Sequence, residues 1–323
     1  MPNECPVCRE KLEIGQNFQF IQNYESNDGN FTLYQCPNCG VQFWMPFKNP
    51  GPGWYEKYKV YDRLFFVKPK IRCGYHKKVL KLFRKQNFDK KKFLDLGCGT
   101  GEFIFNLKQK GLEIWGVDFS QTFINIARNY FNLKNLRVMS FKDFFSQRKL
   151  PKFDYISFFE VIEHLDNPKY FLQEIRKFLK PKGTIILSTP CRERILVNWV
   201  EGEFPYHHLS RWNKESLTCF LEKNGFKAEK VYYVDSFRFI YETLMGKTAL
   251  GLLRKAKRQE KQQKQQKNKR NFKNKFLIAI LCFLISIKKA ILCCIAFVLF
   301  ISGKLFRRKN GDILCLAKIN NLK

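Results

Sequence analysis

Between Lys91 and Tyr233 the chain alternates short apolar runs with stretches whose apolar residues recur at helical spacing. Phe93-Leu94-Asp95-Leu96 leads into three glycines at alternate positions, Gly97, Gly99 and Gly101, and then into a helical pattern. That reads as strand, tight loop, helix. Leu112 to Val117 predicts a second strand ending on Asp118, and Leu136 to Met139 a third, followed by Asp143. A fourth strand ends near Phe159, and Lys169 to Leu179 has helical spacing. Pro181-Lys182-Gly183 predicts a turn, and Thr184 to Ser188 a buried strand ending at Thr189-Pro190. Asn213 to Asn224 reads as a helix closed by Gly225, and Phe226 to Val234 as a sixth strand. Farther on, two apolar runs, Phe276 to Ile287 and Ala290 to Ile301, are split by Lys288-Lys289, and Ile313 to Ile319 reads as one more strand.

The glycines carry the first chemical content. Glycine is needed where backbone takes positive φ or comes against a ligand with no Cβ in the way. A strand-loop-helix unit aims its loop amides at that ligand. The dinucleotide fingerprint G-x-G-x-x-G wants its third glycine at Glu102, whereas the spacing here is G-x-G-x-G. Asp95, just before the loop, would repel a pyrophosphate but suits the ammonium end of a cationic amino acid. Both details disfavour NAD and favour S-adenosylmethionine. Asp118, about twenty residues after the first glycine, is placed for ribose hydroxyls, or else caps a helix. Asp143 suits an adenine amino group, or is a solvated loop acid.

The run Phe93 to Phe103, Gly116-Val117-Asp118, Asp154 to Leu165 with its Glu160-Val161-Ile162-Glu163-His164 centre, and Leu179 to Ser188 together resemble a class I S-adenosylmethionine-dependent methyltransferase. The resemblance covers roughly Lys91 to Tyr233. It implies an α/β, seven-stranded Rossmann-like sheet whose last strand inserts antiparallel beside the sixth, here 312–323. It implies that Asp95, Gly97, Cys98, Gly99, Gly101, Asp118, Phe119 and Asp143 hold the cofactor.

Composition changes the picture only locally. A formal charge of +31 suggests an anionic partner, nucleic acid or an acidic membrane face. Joint richness in Lys, Asn, Ile and Phe is also what an AT-rich genome produces, so charge counts where it clusters. The chain has twelve cysteines, four of them in the pairs Cys5/Cys8 and Cys36/Cys39. Two C-x-x-C pairs separated by 27 residues suit a closed tetrahedral thiolate site, structural zinc first, with iron in a rubredoxin-like site or a redox dithiol as alternatives. Residues 1–46 are therefore expected to be a zinc ribbon, too small to hold a core without metal. The polar N-terminus shows no signal peptide, which suggests reduced thiols in a cytoplasmic setting.

Residues 47–90 read as a Pro/Gly linker and an aromatic-rich helical cap, and 91–253 as the methyltransferase domain. Zinc ribbons followed by such a tyrosine-rich segment resemble the N-terminal parts of bacterial methyltransferases acting on sugars and other small metabolites. Glu160, Glu163 and His164 share a helical face if a helical turn follows the fourth strand. They could hold a divalent cation, or His164 alone could be a general base on a hydroxyl. E-x-x-E-H also resembles ubiquinone-biosynthesis O-methyltransferases and small-RNA methyltransferases, which implies a metal at Glu160, Glu163 and His164. The downstream Pro205-Tyr206-His207-His208 matches the RNA enzymes loosely, and His207 or His208 could complete the site.

From Leu253 to Lys275 there are eleven basic residues and one acid, Glu260. One crossing by 276–301 would bury two lysines in the bilayer at about 2.5 to 3.5 kcal/mol each. Each half alone is about 18 Å long and cannot span. Residues 254–311 therefore read as a basic stretch plus an apolar helical hairpin in one leaflet, its flanks on anionic lipid heads, that is, peripheral or monotopic association. Soluble helices, or an RNA-binding tail, are the other readings.

The sequence thus points to O-methylation of a lipid, a quinone precursor or a lipid-linked or surface sugar, with His164 as base. An RNA methyltransferase gripping phosphates by ribbon and tail, and a non-catalytic binding module, are the rivals.

Overall fold

A computed structural model of the chain describes residues 3–13, 15–51, 53–54, 73–147, 149–194, 201–235, 240–241, 244, 287–288, 290–301 and 311–320. The chain divides into two units, one of 1–192, 201–234 and 312–323, the other of 193–200 and 235–311.

The first unit contains a four-stranded antiparallel sheet and a seven-stranded sheet among its described residues. The small sheet runs β1 (Gln19–Ser26), β2 (Gly29–Gln35), β3 (Gln42–Met45) and then β9 (Ser210–Arg211). Helix α1 (Gly74–Leu82) leads into the large sheet. Its elements are β4 (Lys92–Leu96), α2 (Glu102–Lys108), β5 (Glu113–Asp118), α3 (Gln121–Phe131), β6 (Leu136–Val138) and α4 (Phe141–Phe145). They continue with β7 (Phe153–Phe159), α5 (Pro168–Phe178), β8 (Leu179–Pro190), α6 (Lys214–Lys223), β10 (Phe226–Asp235) and β11 (Gly311–Ile319).

Strand order is β10-β11-β8-β7-β4-β5-β6. The strands from β4 through β8 pair in parallel, and β11 lies antiparallel on β8. This is the Rossmann-like methyltransferase sheet that the sequence implies. Crossover helices bury their apolar stripes on it, Phe123, Ile124, Ala127 and Phe131 from α3 and Phe171, Leu172 and Ile175 from α5. The predicted turn at Pro181-Lys182-Gly183 bulges out of β8, since Leu179 pairs with Phe153 but Thr184 with Tyr155.

The ribbon is not a free-standing module. Strand β9, from the far end of the catalytic region, pairs with β3 through Gln42↔Arg211 and Phe43↔Ser210. Cys5, Val7, Cys36, Val41 and Phe43 belong to the same buried cluster as Trp212, Leu217 and Phe220. The Arg192 guanidinium donates to the Gly40 carbonyl at 2.6 Å, and Lys223 pairs with Glu10 at 2.7 Å. The ribbon core is therefore completed by the catalytic domain as well as by its cysteines.

In the second unit, α7 runs through 287–288 and 290–301. It exposes apolar side chains, among them Phe297 at 58% and Val298 at 64%. No described helix is long and apolar enough to cross a membrane. The basic stretch and the first apolar run up to residue 286 lie outside the described residues, as do Tyr55, Tyr58 and Tyr61 of the aromatic segment.

Candidate functional site

A cavity of about 450 Å³ opens at the carboxyl ends of the parallel strands, where open α/β sheets bind their ligands. Its floor is the glycine loop. Gly97 N–H donates to Val117 O at 2.8 Å and Gly99 N–H to Asp118 Oδ2 at 2.9 Å, folding the loop back over the end of β5. Gly97 and Gly99, at φ of 82° and 52°, line the cavity. Gly101 has another task. It caps α2 at φ 79°, and a Cβ there would lie 2.9 Å from both Ala127 Cβ and Leu133 Cδ1, so it lets α2 approach α3.

Asp118 lines the cavity, its second oxygen accepting from Ser120 N–H at 2.8 Å. Burial pushes its carboxyl up from the ordinary value, against the pull of these amides. With backbone amides of Gly99, Phe119 and Ser120 on it, the carboxylate still keeps acceptor capacity for a ligand hydroxyl. Phe119, Phe123, Met139 and Phe141 form an apolar wall beside it.

Three expected cofactor residues stand elsewhere. Asp95 is buried beneath the loop, where Ser157 Oγ donates to it at 2.5 Å. Desolvation, and to a lesser degree the charge of Asp118, push its carboxyl up to about 7. Cys98 turns its thiol away from the cavity, toward Gly116, whose Cβ would meet the sulfur at 2.9 Å. Asp143 is exposed in the first turn of α4, whose N-cap is Ser140: Ser140 Oγ donates to its carboxylate at 2.7 Å and accepts from its amide.

On the opposite wall, only a single helical turn, Ile162–His164, follows β7. Glu160 precedes it at φ 52°, so it does not share the face expected for the i, i+3, i+4 spacing. Its carboxylate accepts from Ser188 Oγ at 2.7 Å and lines the cavity with His164, Val161, Leu165 and Asn49. Asn49 comes from the Pro/Gly linker, and nothing in the local sequence marks it.

His164 Nδ1 lies 2.5 Å from the His207 carbonyl. A carbonyl only accepts, so Nδ1 carries the proton and Nε2 keeps its lone pair. Desolvation first, and the neighbouring His208 second, push the imidazole down to about 3. The ring is neutral throughout the physiological range. Behind it, Glu163 is buried. Its Oε2 accepts from Thr189 Oγ1 at 3.1 Å, while Oε1 has no hydrogen-bond partner among the described residues. Desolvation pushes this carboxyl up to about 7. Glu163, His164 and His208 present ligand atoms within 4.8 Å of one another, and Glu203 lies 3.6 Å from His208 Nδ1. The structure thus completes the cluster with His208, an option the sequence left open, rather than with Glu160.

Cys5, Cys8, Cys36 and Cys39 form a second such group, all buried. Hydrogen bonds from Cys39, Cys5 and Cys8 hold the Cys36 thiol well below the ordinary range.

A family model described as "Methyltransferase domain" matches residues 68–231. The chain is similar to a ubiquinone biosynthesis O-methyltransferase of Rickettsia bellii, 31% identical over 196 residues, a match covering 57% of this chain and 81% of that one. The mitochondrial ubiquinone biosynthesis O-methyltransferase of Schizosaccharomyces pombe is 34% identical over 116 residues, 34% of this chain and 42% of that one. Among solved structures, an S-adenosylmethionine-dependent methyltransferase from Archaeoglobus fulgidus aligns with 20% identity and a TM-score of 0.49 over 81% of this chain and 99% of that one.

The raised Asp95 carboxyl has a measurable consequence. Between about pH 3.8 and 7 the folded chain holds a proton there that the unfolded chain has lost, so Asp95 makes stability fall as pH rises through that window. Asp95→Asn should flatten the fall in denaturant titrations at pH 4, 5.5 and 7, leaving the parts due to Glu163 and Asp118. An unchanged slope would mean that the carboxyl is ionised as usual.

Proposed function

The chain belongs to the class I S-adenosylmethionine-dependent methyltransferases, and we propose that it moves the cofactor's methyl group to a phenolic oxygen of a quinone precursor. The observation that carries this reading is His164, held in the cavity by its Nδ1–H with Nε2 unprotonated. The two relatives named above support an oxygen acceptor and a quinone precursor.

In this reading Gly97 and Gly99 offer the floor for the methionine part, Asp118 takes the ribose hydroxyls, and Phe119, Met139 and Phe141 flank the adenine. Asp95 acts on the cationic end from beneath the loop, its ionised form favoured once that cation is bound. The acceptor lies on the side of Glu160, His164 and Asn49. Its hydroxyl gives a proton to His164 Nε2 as the new O–CH₃ bond forms in line with the breaking S–CH₃ bond, and S-adenosylhomocysteine leaves. The imidazolium then returns the proton to solvent, quickly, because burial disfavours the charge. Alignment of acceptor and methyl supplies much of the rate.

A divalent cation is the second reading, favoured by Glu163 Oε1, which has no hydrogen-bond partner among the described residues and lies beside two imidazoles. Glu163, His164 and His208 would hold it, with Glu203 orienting His208, and it would supply a Lewis acid to the acceptor oxygen. An RNA acceptor draws no support from the relatives, and the basic stretch it relied on is outside the described residues. A lipid-linked or sugar acceptor likewise has no support beyond the sequence reading.

Two further assignments belong to the same reading. Cys5, Cys8, Cys36 and Cys39 bind a structural zinc, since four buried thiols in mutual reach favour thiolates around a cation. The exposed apolar side chains of α7, with the basic residues that precede and follow them in sequence, rest on an anionic lipid surface.

Replacing His164 by Gln should lower methyl transfer by about a hundredfold to ten-thousandfold while S-adenosylhomocysteine still binds; full activity would remove the base from the mechanism. Metal analysis of the purified chain should give about one zinc, lost in Cys36→Ser together with several degrees of melting temperature; a metal-free wild type as stable as the loaded one would refute the zinc site. The full chain should sediment with phosphatidylserine-containing vesicles and not with pure phosphatidylcholine, and the chain lacking 254–311 with neither. Equal sedimentation of the two chains would end the lipid reading.

A further inference from the structure

The turn that carries His164 is a single helical turn, so its last carbonyls have no partners within it. Two of them are capped from far away in sequence. Glu163 O accepts from Leu209 N–H at 2.8 Å, and Leu209 O in turn accepts from Trp44 N–H, in ribbon strand β3, at 2.9 Å. His164 O accepts from Asn49 Nδ2 at 2.8 Å, across 115 residues of sequence. The Asn49 side chain is itself fixed, because its Oδ1 accepts from Gly51 N–H at 2.7 Å. The Asn49 bond thus fixes the backbone end of the residue whose ring is fixed at Nδ1 by the His207 carbonyl.

We infer that Asn49 is a positioning residue for His164, beside the His207 carbonyl that holds its ring, and that the cysteine ribbon belongs to the active site because the loop after β3 caps one carbonyl of the catalytic turn and β3 itself donates to Leu209, which caps another. The inference rests on His164 facing the acceptor, as proposed above. It assigns the ribbon a task besides its own stability: strand β3 starts three residues after the second cysteine pair, and Asn49 lies four residues beyond its end. Losing the ribbon's order would then loosen the site without touching a residue of the glycine loop.

The test uses the full chain with Asn49→Asp, the same shape without the donor, and Asn49→Ala. Amide hydrogen exchange is followed in peptides covering 161–166 and 31–45, with S-adenosylhomocysteine binding and methyl transfer to catechol as parallel readouts. Both variants should exchange roughly fivefold faster across 161–166, the effect of one lost hydrogen bond, and as wild type across 31–45. Their kcat should fall while KM for S-adenosylmethionine stays within about twofold. Unchanged exchange across 161–166 overturns the inference, whether or not activity falls; a fall without it would mean that Asn49 touches the acceptor directly. Wild-type behaviour of Asn49→Asp overturns it as well, since shape alone would then suffice. If exchange rises but the wild type itself transfers nothing to catechol, the positioning role stands and the acceptor reading fails.

Discussion

The glycine loop is bent back onto the neighbouring strand by backbone amides, and the pocket depends on that bend. Gly97 and Cys98 both donate to Val117 O, and Gly99 donates to the Asp118 carboxylate. With these bonds made, the loop cannot follow β4 outward and must turn at once into α2, which leaves its upper face open to a ligand. The bend needs left-handed backbone at 97 and 99, where a Cβ costs free energy, and Gly101 needs it too while also seating α2 against α3.

The opposite wall is built on a different principle. It gathers ionisable groups in a dry place and then divides their protons. His164 is held neutral, and Glu163 is pushed up toward neutrality, by the same loss of water. Ser188 and Thr189, at the end of β8, each donate to one carboxylate. Such a wall can take a proton from a hydroxyl or hold a cation, but a charged residue left alone there would be costly.

Local signals in the sequence located the floor well and the wall only in part. The strand-loop-helix unit, Asp118, the later strands and the two cysteine pairs are all dictated by neighbours within a few residues, through period, turn chemistry or chelate spacing. Where the geometry departs from the sequence reading, the cause is local too. Asp143 sits in the first turn of a helix capped by Ser140, and its carboxylate accepts from that hydroxyl, a local pairing that the loop reading of the sequence did not include. Cys98 alternates away from the cavity, and the left-handed backbone at Glu160 breaks the helical face shared on paper with Glu163 and His164. Asn49 could not be read at all, and His208 only as one of two candidates with His207, because both depend on contacts such as β3 meeting β9 across more than a hundred and sixty residues.

The central claim is methyl transfer to a phenolic oxygen, and the most direct measurement is the fate of the methyl group. Full-length protein incubated with methyl-labelled S-adenosylmethionine and a lipid extract of its host should place label in the organic phase, on a methyl ether that mass spectrometry locates on an aromatic ring. Label recovered in nuclease-sensitive material, or on nitrogen or carbon of the acceptor, would contradict the account.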